Sequence, residues 1–177
     1  MKDRTWIRKA RIIELTHGSM YTDDQLKYHL DRMRPDAIMG IGCTHDGVVN
    51  YDSTIGPTRG AEATEQTVRR IEIAPALGVK VIATHSGVGN RAAGDAHPEW
   101  IRIRADGERS PNNFAGWQMD LLSEYPEAWF LAQVEEMLRD YDADGLWVDG
   151  DCWYVRPCYS EANVAAFTER TGYEPPR

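Results

Sequence analysis

The sequence lacks the features that mark membrane, secreted and nucleic-acid-binding proteins. No apolar run approaches the roughly 20 residues that a membrane-spanning helix needs, so we expect no membrane partner. The charged N-terminus is not followed by an apolar core, so no secretory signal is visible and the chain as written fits the cytoplasm. Lys and Arg form no basic stripe and the net charge is −8. We therefore expect no nucleic-acid partner.

Cysteine is also scarce. The three cysteines are Cys43, Cys152 and Cys158, an odd number without the CxxC spacing of a metal site. We expect free thiols, although a Cys152–Cys158 pair or a role in metal binding stays open. No internal repeat or low-complexity tract is present. At 177 residues, 42% hydrophobic and 27% charged, the chain is typical of one soluble globular domain over residues 1–177.

Four short apolar runs predict β-strands, at residues 11–16, 37–43, 79–84 and 145–149. They are continuous rather than alternating in hydrophobicity, which favours parallel strands that are buried on both faces. Helical patterns follow them at residues 23–33, 64–78, 126–141 and 161–172. This alternation predicts an α/β fold with a parallel sheet. The long connection at residues 86–125 is weakly periodic, with a possible hairpin at Asp106-Gly107.

Local signals predict where these helices begin and end. Thr22 or Asp23 can cap the first helix, and Ser160 can cap the last, which Gly172 ends. Pro75 predicts a kink or an early end in the second helix.

Histidines and a carboxylate follow the predicted strands. His17, His45 and His85 come after the first three strands, and Asp149 ends the fourth. The carboxyl ends of parallel strands meet at one edge, where α/β proteins place their sites, so we expect a shared pocket. A carboxylate between Trp147 and Trp153 suits glycoside chemistry, which uses carboxyl groups and rings that stack on sugars.

Other interpretations of these residues remain open. His17, His45, His85 and Asp149 could instead bind zinc or a similar ion that activates water, although they form no HxH or HExxH pair. Asp46-Gly47 fits a simple turn as well as a site. His85 fits a packed core histidine equally well. We expect no cofactor and no metal.

Four segments resemble the α-L-fucosidase family of glycoside hydrolases and its fucosidase-like putative glycosyl hydrolase relatives. They are TWIRKARIIELTHGSMY, CTHDGVVNYDS, TVRRIEIAPALGVKVIATHSG and YDADGLWVDGDCW, in the family's order. The resemblance implies that Asp149 is the nucleophile and that His17 and His45 bind the sugar. Two departures touch the sugar pocket, since Gly18 stands where fucosidases have Trp and Thr44 where they have the first His of a pair.

The resemblance also implies a TIM-type (β/α)₈ barrel, of which this chain supplies the N-terminal half, about four βα units. The other half would come from a longer chain or from a second copy, and the general acid/base would lie outside these residues. The prediction is thus a retaining, fucosidase-like glycoside hydrolase that acts on a carbohydrate. A metal-dependent hydrolase and a non-catalytic carbohydrate-binding barrel half are the alternatives. Asp149 is the predicted catalytic residue, and the predicted substrate-binding residues are His17, His45, Asp46, His85, Trp147, Asp151 and Trp153.

Overall fold

The centre of the fold is a parallel sheet of four strands. The computed structural model describes residues 5–15, 21–111, 116–149 and 156–176. The strands lie in the order β1-β2-β3-β4, with bounds Ile12–Glu14, Ala37–Cys43, Lys80–Ser86 and Gly145–Asp149. The predicted α/β fold with a four-stranded parallel sheet is confirmed. Because each connection moves one strand in the same direction, the sheet winds as a barrel does and has no reversal of strand order.

Helices follow the strands, and two of them pack on one face of the sheet. Their bounds are Asp23–Met33 (α1), Ala61–Ala76 (α2), Arg91–Ala96 (α3), Ala132–Asp140 (α4) and Glu161–Thr171 (α5). Short 3₁₀ helices span Thr5–Lys9 and Pro98–Trp100, and a π-helical segment at Pro126–Leu131 runs into α4. Helix α2 packs on β2 and β3, α4 packs on β3, and α1 packs against α2. No helix in the described part of the chain is long and apolar enough to cross a membrane.

The predicted ends of the first and last helices agree with the structure. Thr22 caps α1 and forms a capping box with Gln25, while Ser160 caps α5 and Gly172 follows its last residue. Helix α2 ends one residue after Pro75, as the proline predicted, but begins three residues earlier than its apolar pattern indicated. The predicted helix 126–141 is split between π and α geometry.

The main core lies between the sheet and its helices. Ile38 and Ile41 of β2 and Val81 and Ala83 of β3 are almost fully buried there. Leu26, Leu30, Ala74, Val134 and Met137 meet them from α1, α2 and α4. Strand β4 is more exposed, because it is an edge strand of this sheet. The face of the sheet that carries the core is therefore the helical face.

Strand β2 changes its pairing register with β3 in its middle. Met39 pairs with Ile82 and Ile41 pairs with Ala83, so Gly40 is an extra residue. Such a bulge reverses the alternation of side chains beyond it. Ile38 and Ile41 consequently both face the helices, although three residues separate them.

A second cluster of buried residues lies in the long connection after β3. It is largely aromatic, with Trp100, Tyr125 and Trp129 packed around Ala93 and Met119. The predicted hairpin is present, with an antiparallel bridge between Ile103 and Arg109 across the turn. Helix α3 was not predicted.

Candidate active site

A cleft of about 580 Å³ lies on the face of the sheet opposite the helices. Residues of all four strands and of the segment after β2 contribute to it. Its lining residues are Ile12, Glu14, Met39, Cys43, Thr44, His45, Thr84, His85, Ser86, Trp147 and Asp149. A larger groove of about 810 Å³ beside α5 has neither a carboxylate nor an imidazole in its lining. The smaller cleft is therefore the candidate active site.

His45 and Asp149 approach each other at the carboxyl ends of β2 and β4. The Nε2 atom of His45 lies 3.8 Å from Oδ2 of Asp149. The Asp149 side chain is 57% exposed and that of His45 is 26% exposed. At 3.8 Å the two groups interact electrostatically but are too far apart for a direct hydrogen bond. A carboxylate and an imidazole thus face the same open space.

Ser86 lies behind His45. Its Oγ makes a short hydrogen bond with Nδ1 of His45, and Ser86 is only 3% exposed. Ser86 is also the direct neighbour of Asp149 in the pairing of β3 with β4. Three adjacent strands therefore bring a buried hydroxyl, an imidazole and an exposed carboxylate together.

Asp46 does not line the cleft. Its Oδ1 accepts hydrogen bonds from the Thr44 hydroxyl at 2.5 Å and from the Val48 amide at 3.0 Å, and Arg59 donates to both carboxylate oxygens. Burial alone would raise the pKa of Asp46, but these hydrogen bonds and the Arg59 charge lower it. The carboxylate oxygens are engaged in holding the loop that carries His45, and the substrate contact expected of Asp46 stays a prediction.

Gly47 completes that loop. Its amide donates to the Thr44 carbonyl oxygen at 2.8 Å, and its φ of +76° lies in the left-handed region that favours glycine. A Cβ at this position would also lie 2.1 Å from Oδ1 of Asn90. The turn interpretation of Asp46-Gly47 therefore describes what these residues do.

His85 turns away from the cleft. Strand β3 runs to Ser86, so His85 lies within the strand rather than after it, and its side chain shares the helical face with Val81 and Ala83. The ring is 0% exposed and packs edge-on against Phe130. Burial lowers the pKa of His85, which favours the neutral ring. The ring of His85 thus packs in the core although the residue is among those that line the cleft, and its contact with a sugar stays a prediction.

The remaining predicted residues have different outcomes. Trp147 lies on β4 two residues before Asp149, lines the cleft and is 49% exposed, and its contact with a sugar stays a prediction. His17, Asp151 and Trp153 lie outside the described residues.

Among the residues that the structure describes, no three His, Cys, Asp or Glu side chains are placed to hold a metal ion. Of the four ligands that the metal alternative requires, His45 and Asp149 come together and His85 does not.

Sequence reasoning missed Glu14 and Ser86. Glu14 lines the same cleft from β1, and the signal was one charged residue inside the apolar run RIIELT. Ser86 could have been found by extending β3 by two residues, since Thr84 and Ser86 then share a face. No pattern in the sequence indicated that Arg59 would reach Asp46.

Four parallel strands in sequential order, with a histidine–carboxylate pair at their carboxyl ends, define a barrel-forming α/β protein. The family to which the chain belongs is described as Hypothetical glycosyl hydrolase 6, and its model matches residues 23–150. No curated protein sequence matches the chain. The fucosidase-like glycosyl hydrolase relationship expected from the sequence is thereby confirmed at the level of family.

Solved structures of glycosidases share the fold. Alpha-L-fucosidase isoenzyme 2 from Paenibacillus thiaminolyticus is similar over 93% of this chain, with 19% identity and a TM-score of 0.70. An alpha-L-fucosidase from Vibrio sp. strain EJY3 is similar over 87%, with 20% identity and a TM-score of 0.53. An alpha-amylase from Lactobacillus plantarum is similar over 96%, with 16% identity and a TM-score of 0.55.

These matches cover only part of each glycosidase. The chain spans 26% of the Paenibacillus enzyme, 25% of the Vibrio enzyme and 44% of the Lactobacillus enzyme. At these identities the similarity shows the fold alone. The prediction of half of a TIM-type barrel is confirmed.

Proposed function

We propose that the complete protein hydrolyses a glycosidic bond with retention of anomeric configuration, and that Asp149 is the nucleophile. The observation that carries this proposal is the exposed Asp149 carboxylate, 3.8 Å from His45 in an open cleft of a glycosyl hydrolase family member. A carboxylate attacks the anomeric carbon from the face opposite the leaving group. An ester bond to Asp149 forms as the glycosidic bond breaks, and water then hydrolyses that ester.

His45 is the proposed hydroxyl-binding residue beside the nucleophile. Its Nε2 faces the space next to Asp149, and the 3.8 Å separation leaves that nitrogen within reach of a sugar hydroxyl. Hydrogen bonds of this kind are often loose without substrate and tighten in the complex. The exposed ring of Trp147 offers an apolar face to the C–H groups of the sugar. An α-L-fucoside is the proposed substrate class, supported by the family-level relationship.

The general acid/base is proposed to come from four further βα units. Protonation of the leaving oxygen requires a second carboxyl group about 5–5.5 Å from the nucleophile in a retaining enzyme. Strands β1 and β4 are both edges of the described sheet, where further strands of a longer chain or of a second copy could pair.

The test uses the longest natural chain that contains these residues, with aryl α-L-fucoside as substrate. Asp149→Gly is expected to lower turnover by about 10³-fold or more, because covalent catalysis is lost. Added azide should restore turnover of the variant and give a glycosyl azide of inverted configuration. Asp31→Asn, on the exposed surface of α1, is the control and should keep wild-type turnover.

Two results would overturn this assignment. Unchanged turnover in Asp149→Gly would exclude Asp149 as the nucleophile. Saturable sugar binding with no hydrolysis by the wild type, across aryl glycosides of several sugars, would favour the non-catalytic carbohydrate-binding alternative.

A further inference from the structure

We propose that Ser86 is a positioning residue that fixes the tautomer of His45, so that the ring presents an Nε2–H group to the substrate space beside Asp149. The juxtaposition that carries this inference is the hydrogen bond between Ser86 Oγ and His45 Nδ1, with His45 Nε2 facing Asp149. The kinetic part rests on the proposed function. The ring geometry stands without it.

The direction of the Ser86 hydrogen bond follows from what lies on the other side of the ring. The negative charge of a carboxylate attracts a proton on the nitrogen that faces it, so the Asp149 side chain 3.8 Å away favours the tautomer protonated at Nε2. In the neutral imidazole the second nitrogen is then bare and can only accept. The Ser86 hydroxyl therefore donates to Nδ1 and stabilises this tautomer.

Burial separates the roles of the three groups. Ser86 is 3% exposed, whereas the side chains of His45 and Asp149 are 26% and 57% exposed. The Oγ of Ser86 is engaged with Nδ1 of His45 and has little exposed surface, so Ser86 acts through His45.

The backbone holds His45 in this position from a second direction. The carbonyl oxygen of His45 accepts a hydrogen bond from the Arg91 amide at 3.1 Å, and that of Asp46 accepts one from the Ala92 amide at 3.1 Å. Both donors are in the first turn of α3. Because the backbone is fixed by α3 and the ring is fixed by Ser86, His45 has little freedom to turn away from Asp149.

The tautomer can be measured without any activity assay. Nitrogen-15 NMR of the ring distinguishes a protonated from a bare nitrogen, and the signals of His45 are assigned by their absence from the His45→Gln variant. In the wild type at pH 7.5 we expect a bare Nδ1 and a protonated Nε2. In Ser86→Ala we expect the two tautomers to mix. Ser110→Ala, which removes another buried hydroxyl away from the cleft, should leave the signals unchanged.

Kinetics then connect the tautomer to the reaction. Ser86→Ala should lower kcat by roughly tenfold with a smaller change in KM, because one oriented hydrogen bond is lost in the transition state. Ser86→Thr keeps the hydroxyl and should recover most of that loss. Thermal melting of each variant checks that it is folded.

The outcomes are separable from those of the Asp149 test. Wild-type ring signals in a folded Ser86→Ala protein, or two protonated ring nitrogens in the wild type at pH 7.5, would overturn the inference whether or not Asp149 is the nucleophile. If Ser86→Ala loses the single tautomer of His45 but keeps the kcat of the wild type, only the kinetic part of the inference is overturned. A mixed tautomer together with a tenfold lower kcat supports both parts.

Discussion

Nε2 of His85 lies 2.9 Å from Oε1 of Gln133, so a strand-end histidine is paired with helix α4 rather than with the cleft. The amide oxygen can only accept, so Nε2 of the neutral ring carries the proton. The ring is fully buried between the sheet and the helices. His85 therefore contributes to stability, which separates it from His45 although both lie near the ends of adjacent strands.

The first prediction concerns the pH dependence of stability that His85 creates. Burial holds the pKa of folded His85 below the ordinary value of about 6.5, so the unfolded chain binds more protons as the pH falls. The free energy of unfolding should therefore fall below pH 6.5, by at most about 1.4 kcal/mol per pH unit from this group. His85→Gln should be about 1–3 kcal/mol less stable than wild type at pH 7.5, with a smaller gap at pH 5.

Urea unfolding at both pH values measures this gap. His29→Gln, at an exposed position of α1, is the matched control. Its difference in unfolding free energy from wild type should be the same at pH 7.5 and at pH 5. A stability difference for His85→Gln that stays constant with pH would contradict the assignment of a neutral buried ring.

The second prediction compares two glycines of β2. A Cβ at position 42 would lie 2.1 Å from Oγ1 and 2.3 Å from the carbonyl oxygen of Thr84, whereas a Cβ at position 40 would first meet Ile38 at 3.5 Å. Gly42→Ala should therefore lower the free energy of unfolding by about 3 kcal/mol or more, since the backbone of β3 must move. Gly40→Ala should change it by no more than about 1 kcal/mol.

Chemical denaturation of the two variants provides the comparison. They share a strand and a substitution, so a difference between them reports the close approach to Thr84 rather than a general effect of alanine. Equal free energies of unfolding for the two variants would show that β3 accommodates a Cβ at position 42 without loss of stability.

The third prediction concerns the loop that carries His45. Asp46→Asn removes the negative charge that Arg59 contacts and weakens acceptance from Thr44 and Val48. We expect the free energy of unfolding to fall by about 1–3 kcal/mol. Since the lost bonds hold His45 in place, kcat/KM should also fall, by roughly tenfold.

A double-mutant cycle with Arg59→Ala measures how these residues depend on each other. The two substitutions should be less than additive in both stability and kcat/KM, because each removes the same ion pair. Fully additive effects would show that Arg59 does not act through Asp46.

The strands whose bounds could be predicted are those in which the apolar run extends over the whole strand. Residues 37–43 and 145–149 were predicted with their exact bounds, since both runs are continuous and turn residues follow them. The last two residues of β3, His85 and Ser86, are polar and escaped the pattern. They are extended because β4 pairs with both of them and β2 pairs with His85, which is a tertiary effect.

The candidate site likewise contains residues that could be predicted from the sequence and residues that could not. His45 and Asp149 were predicted to share a pocket because the ends of parallel strands converge, and the structure brings them together. Which face each end residue occupies depends on where its strand stops. That is why Ser86, which the sequence pattern did not single out, contacts His45 while the ring of His85 packs against the helices.

The extra residue at Gly40 determines which face of the sheet each later side chain of β2 occupies. Deleting Gly40 would restore a regular alternation, but it would turn Ile41 and Cys43 from the helical core toward the cleft. The start of the loop would rotate with them, so that the imidazole at position 45 would leave its place between Ser86 and Asp149. A single inserted glycine thereby lets one strand supply residues to a hydrophobic core and then, a few residues later, direct a histidine to the opposite face.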